Sequence, residues 1–327
     1  MKIASNRQHG VALVTVLLVV AIATVLGVSM AKDQHRLVMQ ARNQFDLTQA
    51  RQYALGGEEL ARQILHEDFI GEPGVDHLLD PWAAPDLFFE FDDGEVSLQI
   101  IDLQSRLNVN ALAGDQPEVA LERMRRLVAQ LGLDASVVDR VRDWIDADLS
   151  AQPLGAEDYE YLGLEQPYRT PGQFMADLSE LRLLYEMDPT TFELLQGYLA
   201  SLPVNRVPVN INTAPAEVLA SLGEGMSPEV IQPLIEFRDE GNPWETVERF
   251  LQEEAIPPGT PPAGLGVQSA FFEVRVRARY QDRFAYLTSV IQRDLTTGRM
   301  LVIYRNTGRK ILLPVDGTQV EPTETDA

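Results

Sequence analysis

The chain has 327 residues, with 49 Asp and Glu against 27 Lys and Arg, a formal net charge of −22 and no cysteine. That length admits more than one compact unit with a sizeable core. The acidic balance argues against general nucleic-acid binding, because such a surface repels phosphate backbones, and the lack of thiols excludes cysteine nucleophiles, disulfide staples and Cys-ligated zinc.

The first ten residues, MKIASNRQHG, form a short polar leader carrying Lys2 and Arg7. Val11 to Ala31 follows without a charged residue. At ~1.5 Å per residue a helix of this length reaches roughly 30 Å, the thickness of a hydrocarbon core. The positive-inside rule places the leader in the cytoplasm and the bulk of the chain in the periplasm, as a single-pass protein of the inner membrane. A secretory signal would need a shorter apolar core and a small-residue cleavage site. Here Leu37, Ala41, Phe45, Tyr53, Leu60 and Ile64 instead continue a helical pattern, with a kink expected at Gly56-Gly57. A basic leader ending in Gly10 before an uncharged helix resembles the type IV prepilin signal. That resemblance implies cleavage by prepilin peptidase between Gly10 and Val11 and N-methylation of Val11. Most proteins with this signal carry Glu at the fifth mature position, where this chain has Thr15. Unpaired charge in hydrocarbon is costly, so a subunit without that Glu suits the end of a filament better than its interior.

Two short runs rich in β-formers, Asp86 to Phe91 and Glu95 to Leu103, predict a hairpin turning at Asp92-Asp93-Gly94, with Gly94 supplying a positive φ. Far downstream, Phe272 to Tyr280 alternates apolar residues with Glu273, Arg275, Arg277 and Arg279, as a half-buried antiparallel strand does. Phe284 to Gln292 and Met300 to Tyr304 predict two more strands. The Arg stripe reads as the exposed face of its strand.

Between these β regions, residues 110–266 carry helical periodicity: EVALERMRRLVAQLG, ASVVDRVRDWIDAD, DLSELRLLYEMD, TTFELLQGYLASL and PEVIQPLIEFRD. The segment from Val209 to Leu219 resembles the first half of a helix-hairpin-helix, with Thr213 as a cap, Pro215 in the first turn and Glu217 where the helix dipole favours it. Glu224, Glu229, Glu236, Asp239 and Glu240 surround its hairpin, so a structural or protein-contact use is favoured over DNA binding.

One constellation carries chemistry. Oxygen ligands at Asp146, Asp148 and Ser150, with Glu157 eleven residues after Asp146, match EF-hand positions one, three, five and twelve. Ala151 stands where an EF-hand needs Gly, and Pro153 replaces the usual apolar residue. Spacing alone leaves two readings open, a divalent-cation site and a solvated acidic loop capping a helix.

Taken together, HGVALVTVLLVVAIATVL, QARQYALGGEELA, DLQSRLNVNAL, DWIDAD followed by GAEDYEYL, and VNINTAPAEVL resemble general secretion pathway protein K, the K-type minor pseudopilins of type II secretion. The resemblance implies an α+β fold: a long N-terminal transmembrane helix packed on an antiparallel pilin-like sheet, with a large all-α helix-hairpin-helix or SAM-like domain inserted between strands. The expected organisation is a leader (1–10), a transmembrane segment (11–31), a first pilin part (32–109), the insertion (110–266), a second pilin part (267–313) and a disordered tail (314–327). It also implies calcium held by Asp146, Asp148, Glu157 and Asp158. The expected partners are the I- and J-type minor pseudopilins, the major pseudopilin and prepilin peptidase. The expected function is that of a non-enzymatic tip subunit that helps start or limit pseudopilus growth for export of folded proteins. A membrane-anchored DNA-uptake protein using the helix-hairpin-helix is the alternative. A hydrolase is disfavoured, since no nucleophile elbow, phosphate loop or His-centred base is evident.

Overall fold

In the computed structural model, residues 9–85, 87–114 and 117–308 are described. The leader residues 1–8, Asp86 of the first expected strand, and the tail lie outside them, as do the side chains of residues 9–11. Helix α1 spans His9–Gly71, and its N-terminal stretch is long and apolar enough to cross a membrane. From Ala12 to Phe45 every side chain of α1 is exposed; burial begins at Ala50.

The helix continues through Gly56-Gly57, where a kink is expected, and the reason is packing. A Cβ on Gly57 would stand 2.7 Å from Val276 and 2.9 Å from Val96, whereas one on Gly56 would meet open space. Gly57 therefore lets the helix backbone lie directly on the sheet. The buried stripe of α1 is correspondingly small: Ala50, Ala54, Gly57 and Ala61, before Leu65. The bulkier Tyr53, Leu60 and Ile64, read from the periodicity as the apolar face, splay along its flanks and are half-buried, while Leu37 and Phe45 are exposed.

The sheet has five strands in the order β1-β2-β7-β8-β9, all antiparallel: β1 (Leu87–Phe91), β2 (Gly94–Asp102), β7 (Phe271–Tyr280), β8 (Arg283–Arg293) and β9 (Met300–Asn306). Gly94 is not a positive-φ turn residue, contrary to the hairpin reading. It opens β2, pairing with Phe91 on one side and Tyr280 on the other, and a Cβ there would collide with the Arg279 carbonyl. Val96, Leu98, Ile100, Phe272, Val274, Val276 and Leu287 face α1 and close one core. Glu58 lies on the same face of α1, bound to Ser289 and, at 2.7 and 2.8 Å, to Arg305.

Strands β2 and β7 are hydrogen-bonded neighbours, yet residues 103–270 separate them. This excursion contains α2 (Pro117–Gln130), α3 (Ser136–Ile145), α4 (Asp158–Leu162), α5 (Pro189–Leu195), α6 (Ala216–Ala220), α7 (Pro228–Asp239) and α8 (Val247–Phe250). It is not purely helical. Two short parallel ladders, β3 (Leu107–Asn108) with β4 (Leu199–Ala200) and β5 (Val209–Asn210) with β6 (Leu265–Gly266), tie its segments together. The DLSELRLLYEMD run forms only a 3-10 helix over Leu178–Leu183, because Leu184 turns extended and Glu186 takes a positive φ of 52°. The excursion has its own core, built around Leu127, Val138, Trp144, Tyr161, Leu181, Leu219 and Phe250.

Candidate functional site

Helix α3 is amphipathic, and its inward face carries two carboxylates one turn apart among apolar residues. Asp139 and Asp143 are both buried. Their oxygens accept backbone N–H groups of the loop that follows: Leu154 N donates to Asp139 at 3.3 Å, and Gln152 N to Asp143 at 3.1 Å. Gly155 has no side chain because a Cβ there would overlap the Asp143 carboxylate. These bonds curl residues 146–157 back on the helix end, so that Glu157 returns to the start of its own loop.

The result is a group of three carboxylates. One oxygen each from Asp146, Asp148 and Glu157 lies within 4.8 Å of the others. Asp148 is exposed, Asp146 half-buried and Glu157 buried. Asp146 Oδ1 and Glu157 Oε1 are buried and meet no hydrogen-bond partner among the described residues. Burial pushes the Glu157 carboxyl up to about 7, and the Asp143 and Asp146 charges add to the rise. Asp146 is raised by burial and then by Asp148; burial and neighbouring carboxylates hold Asp143 at about 6. Bare carboxylates this close repel one another, and orphaned buried oxygens are costly. A hard divalent cation removes both penalties, and the all-oxygen donor set suits calcium. The residues fit such an ion.

Ser150 is exposed and gives its amide N–H to Asp148 Oδ1 at 2.8 Å. Asp158 is not brought into the group. As the first residue of α4 it faces the 169–170 segment, pairing with Arg169 at 2.6 Å and accepting Thr170 N at 3.1 Å. Thr170 Oγ1 also reaches Glu157 Oε2 at 3.4 Å, so this second wall orients Glu157. No residue spacing reveals that wall, since it arrives from a separate loop. At the membrane end, Thr15 is exposed and its hydroxyl bonds Ala12 O at 2.9 Å, an arrangement that leaves no charge there.

The segment resembling a helix-hairpin-helix has a different task. Asn210, Asn212 and Thr213 are buried, and each is used internally. Asp102, at the end of β2, accepts Thr213 Oγ1 at 2.5 Å, Ser269 Oγ at 2.6 Å, Asn210 Nδ2 at 3.2 Å and, through its other oxygen, Gln104 N at 2.7 Å. Asn210 also donates to Asp76 O, and Asn212 exchanges two bonds with the Trp244 backbone. Thr213 is therefore not the cap of α6; Pro215 occupies that position, and the threonine hydroxyl is spent on Asp102. This knot joins both ends of the insertion to the sheet. Burial raises Asp102 to about 6. A second acidic group, Asp68, Asp76 and Asp80, lies near this knot and holds buried Arg293 in its midst, which makes it an ion-paired cluster rather than a cation site.

Two family models, each described as type II secretion system (T2SS), protein K, match residues 105–204 and 209–268, both within the insertion. Type II secretion system protein K of Pseudomonas aeruginosa is 35% identical over 319 residues, covering 92% of this chain and 93% of that protein. The protein of the same name from Pectobacterium carotovorum is 32% identical, covering 93% of this chain and 97% of the relative. Among solved structures, a chain in the crystal structure of the GspK-GspI-GspJ complex from the enterotoxigenic Escherichia coli type 2 secretion system is 27% identical. It superposes with a TM-score of 0.73 over 83% of this chain and all of that one. Sequence likeness along nearly the full length and a shared α+β architecture agree: the chain belongs to the type II secretion system protein K family, the K-type minor pseudopilins.

Proposed function

We propose that this chain is the tip subunit of the pseudopilus, capping it and helping to start or limit its growth as folded proteins are exported. The observation that carries this reading is the excursion of residues 103–270 between two paired strands. It adds a second core beside the pilin-like sheet, a bulk that an interior subunit with neighbours on every side has no room for. Thr15 supports the same position, since an end subunit has no following amine to neutralise. The related complex is named for three components, which supports I- and J-type minor pseudopilins as the immediate partners, joined through the exposed apolar face of α1. Co-expression with candidate I- and J-type subunits should give a stable ternary complex. Labelled chain distributed along assembled filaments, rather than at one end, would overturn the tip position.

In this reading the apolar segment 11–31 anchors the chain in the inner membrane, the leader stays cytoplasmic, and prepilin peptidase cuts between Gly10 and Val11 before methylation of Val11. Calcium is held by Asp146, Asp148 and Glu157, neutralising them and locking the 146–157 loop to α3, while Asp158 steadies the facing wall through Thr170. The role is structural rather than enzymatic. Burial of Asn210, Asn212 and Thr213 and the acidic surroundings support protein contact over DNA contact for the helix-hairpin-helix segment.

A further inference from the structure

A cavity of about 410 Å³ opens between α2 and residues 205–209, where the first family-model match gives way to the second. Its walls are largely aliphatic, among them Leu107, Ala111, Val119, Met124 and Val207. Arg206 and Asn205 stand at its edge, and Arg123 of α2 also lines it, although Arg123 is only 4% exposed. Its Nη2 donates to Pro261 O at 3.0 Å and its Nη1 to Gly264 O at a long 3.4 Å, while Nε meets no acceptor.

Three arginines are buried among the described residues, Arg123, Arg238 and Arg293. Arg238 pairs with Asp239, and Arg293 with Asp68 and Asp76. Among the described residues Arg123 meets no carboxylate; the charge that acts on it is another guanidinium, that of Arg126. Burial lowers its pKa to about 10, which leaves it cationic at neutral pH. A buried guanidinium with spare donors and no counter-ion is a cost that an anion in the adjoining space would relieve.

We propose that this cavity binds a carboxylate carried on a short apolar body, with the anion against Arg123 and the body against the aliphatic walls. Charge complementarity selects the anion, and the walls select an aliphatic rather than a sugar-like body. The carboxylate could belong to a free acid or to the terminal residue of another chain. Either occupant would bridge α2 to the 205–209 and 261–264 segments and stiffen the joint between the two halves of the insertion.

The test is calorimetric titration of the full-length chain in a non-ionic detergent with hexanoate and with N-acetyl-leucine, each beside its neutral amide. Each acid that binds is expected to do so about tenfold or more tightly than its amide. Arg123→Gln, which keeps a donor for the carbonyls, is expected to abolish that preference. Ala263→Trp, on the exposed lip of the cavity, is expected to weaken acid and amide together, and it decides the matter should the Arg123 variant not fold. Tighter binding of hexanoate identifies the free acid, and tighter binding of N-acetyl-leucine identifies a chain terminus. Equal binding of acid and amide, no binding at millimolar ligand, or acid binding that survives Ala263→Trp unchanged would overturn the proposal.

Discussion

Replacing Glu157 by Gln separates a cation site from a solvated acidic loop, because the two readings give opposite signs. With calcium chelated, Asp146, Asp148 and Glu157 stand within 4.8 Å of one another and repel. At that separation and an effective dielectric near 20 each fully charged pair costs about 3 kcal/mol as an upper figure, less where exposed Asp148 is screened by water and less again for Glu157, whose carboxyl, raised to about 7, is partly protonated at neutral pH. Glu157 takes part in two of the three pairs and leaves one oxygen orphaned, so Glu157→Gln is expected to raise the melting temperature in chelator. With calcium at about a hundred times its Kd, the parent gains about 2.7 kcal/mol, or roughly 5–10 °C for a unit of this size. The variant has lost a charged ligand and should gain less than half of that. The assay is differential scanning calorimetry of the full-length chain in detergent, with calcium and with chelator. If the parent melts at the same temperature in both, or if the variant keeps the full calcium shift, the site reasoning fails.

Gly57→Ala drives a Cβ into Val276 and Val96 and is expected to cost about 1–3 kcal/mol, whereas Gly56→Ala, with open space and better helix propensity, should stabilise by up to about 1 kcal/mol; denaturant midpoints of the two variants check the contrast. Asp68, raised by burial and by Asp80 and Asp76 to about 7, and Asp102, raised to about 6, bind protons more tightly folded than unfolded. Between their ordinary value of 3.8 and those values the native state holds more protons, so their contribution to stability falls as pH rises through that window, and Asp68→Asn should flatten the measured slope. Glu58 has the opposite sign: burial would raise it, but its bonds to Arg305 and Ser289 prevail and hold it below 4.5. The stability it contributes is present at neutral pH and lost as pH falls through its folded value, and Glu58→Gln should remove that acid-limb dependence in urea titrations. Intact mass measurement of chain purified from cells with prepilin peptidase should show loss of residues 1–10 and one added methyl group.

Much of the fold is legible in the sequence. An uncharged run of membrane-spanning length, strict alternation from Phe272 to Tyr280 and helical periodicity in the insertion each report a local preference that neighbouring residues suffice to express. The three ligand-type carboxylates were legible for a related reason: in a single loop, sequence spacing and distance in space are closely linked, so Asp146, Asp148 and Glu157 converge as their spacing suggests. Asp158 does not converge with them: one residue past Glu157, it points instead to Arg169, a partner eleven residues away whose approach no local spacing announces.

Other features had no local signature. The apolar stripe of α1 reads as Tyr53, Leu60 and Ile64 by size, yet its core is Ala50, Ala54 and Gly57, since the side of a helix that meets a flat sheet is chosen by closeness of approach rather than by bulk. Thr213 reads as a helix cap and serves Asp102, a residue 111 positions away. Arg123 reads as one of several basic residues on an amphipathic helix; only the packing of segments from 205–209 and 261–264 around it shows a buried charge beside an aliphatic cavity. The sequence by itself determined the membrane anchor, the strands and most of the helices, together with the acidic loop, because these depend on composition and short-range periodicity. Which faces meet, where β2 finds β7 across residues 103–270, and which polar groups are left without partners were decided by tertiary packing alone, where the free energy of burial depends on contacts between residues far apart in the chain.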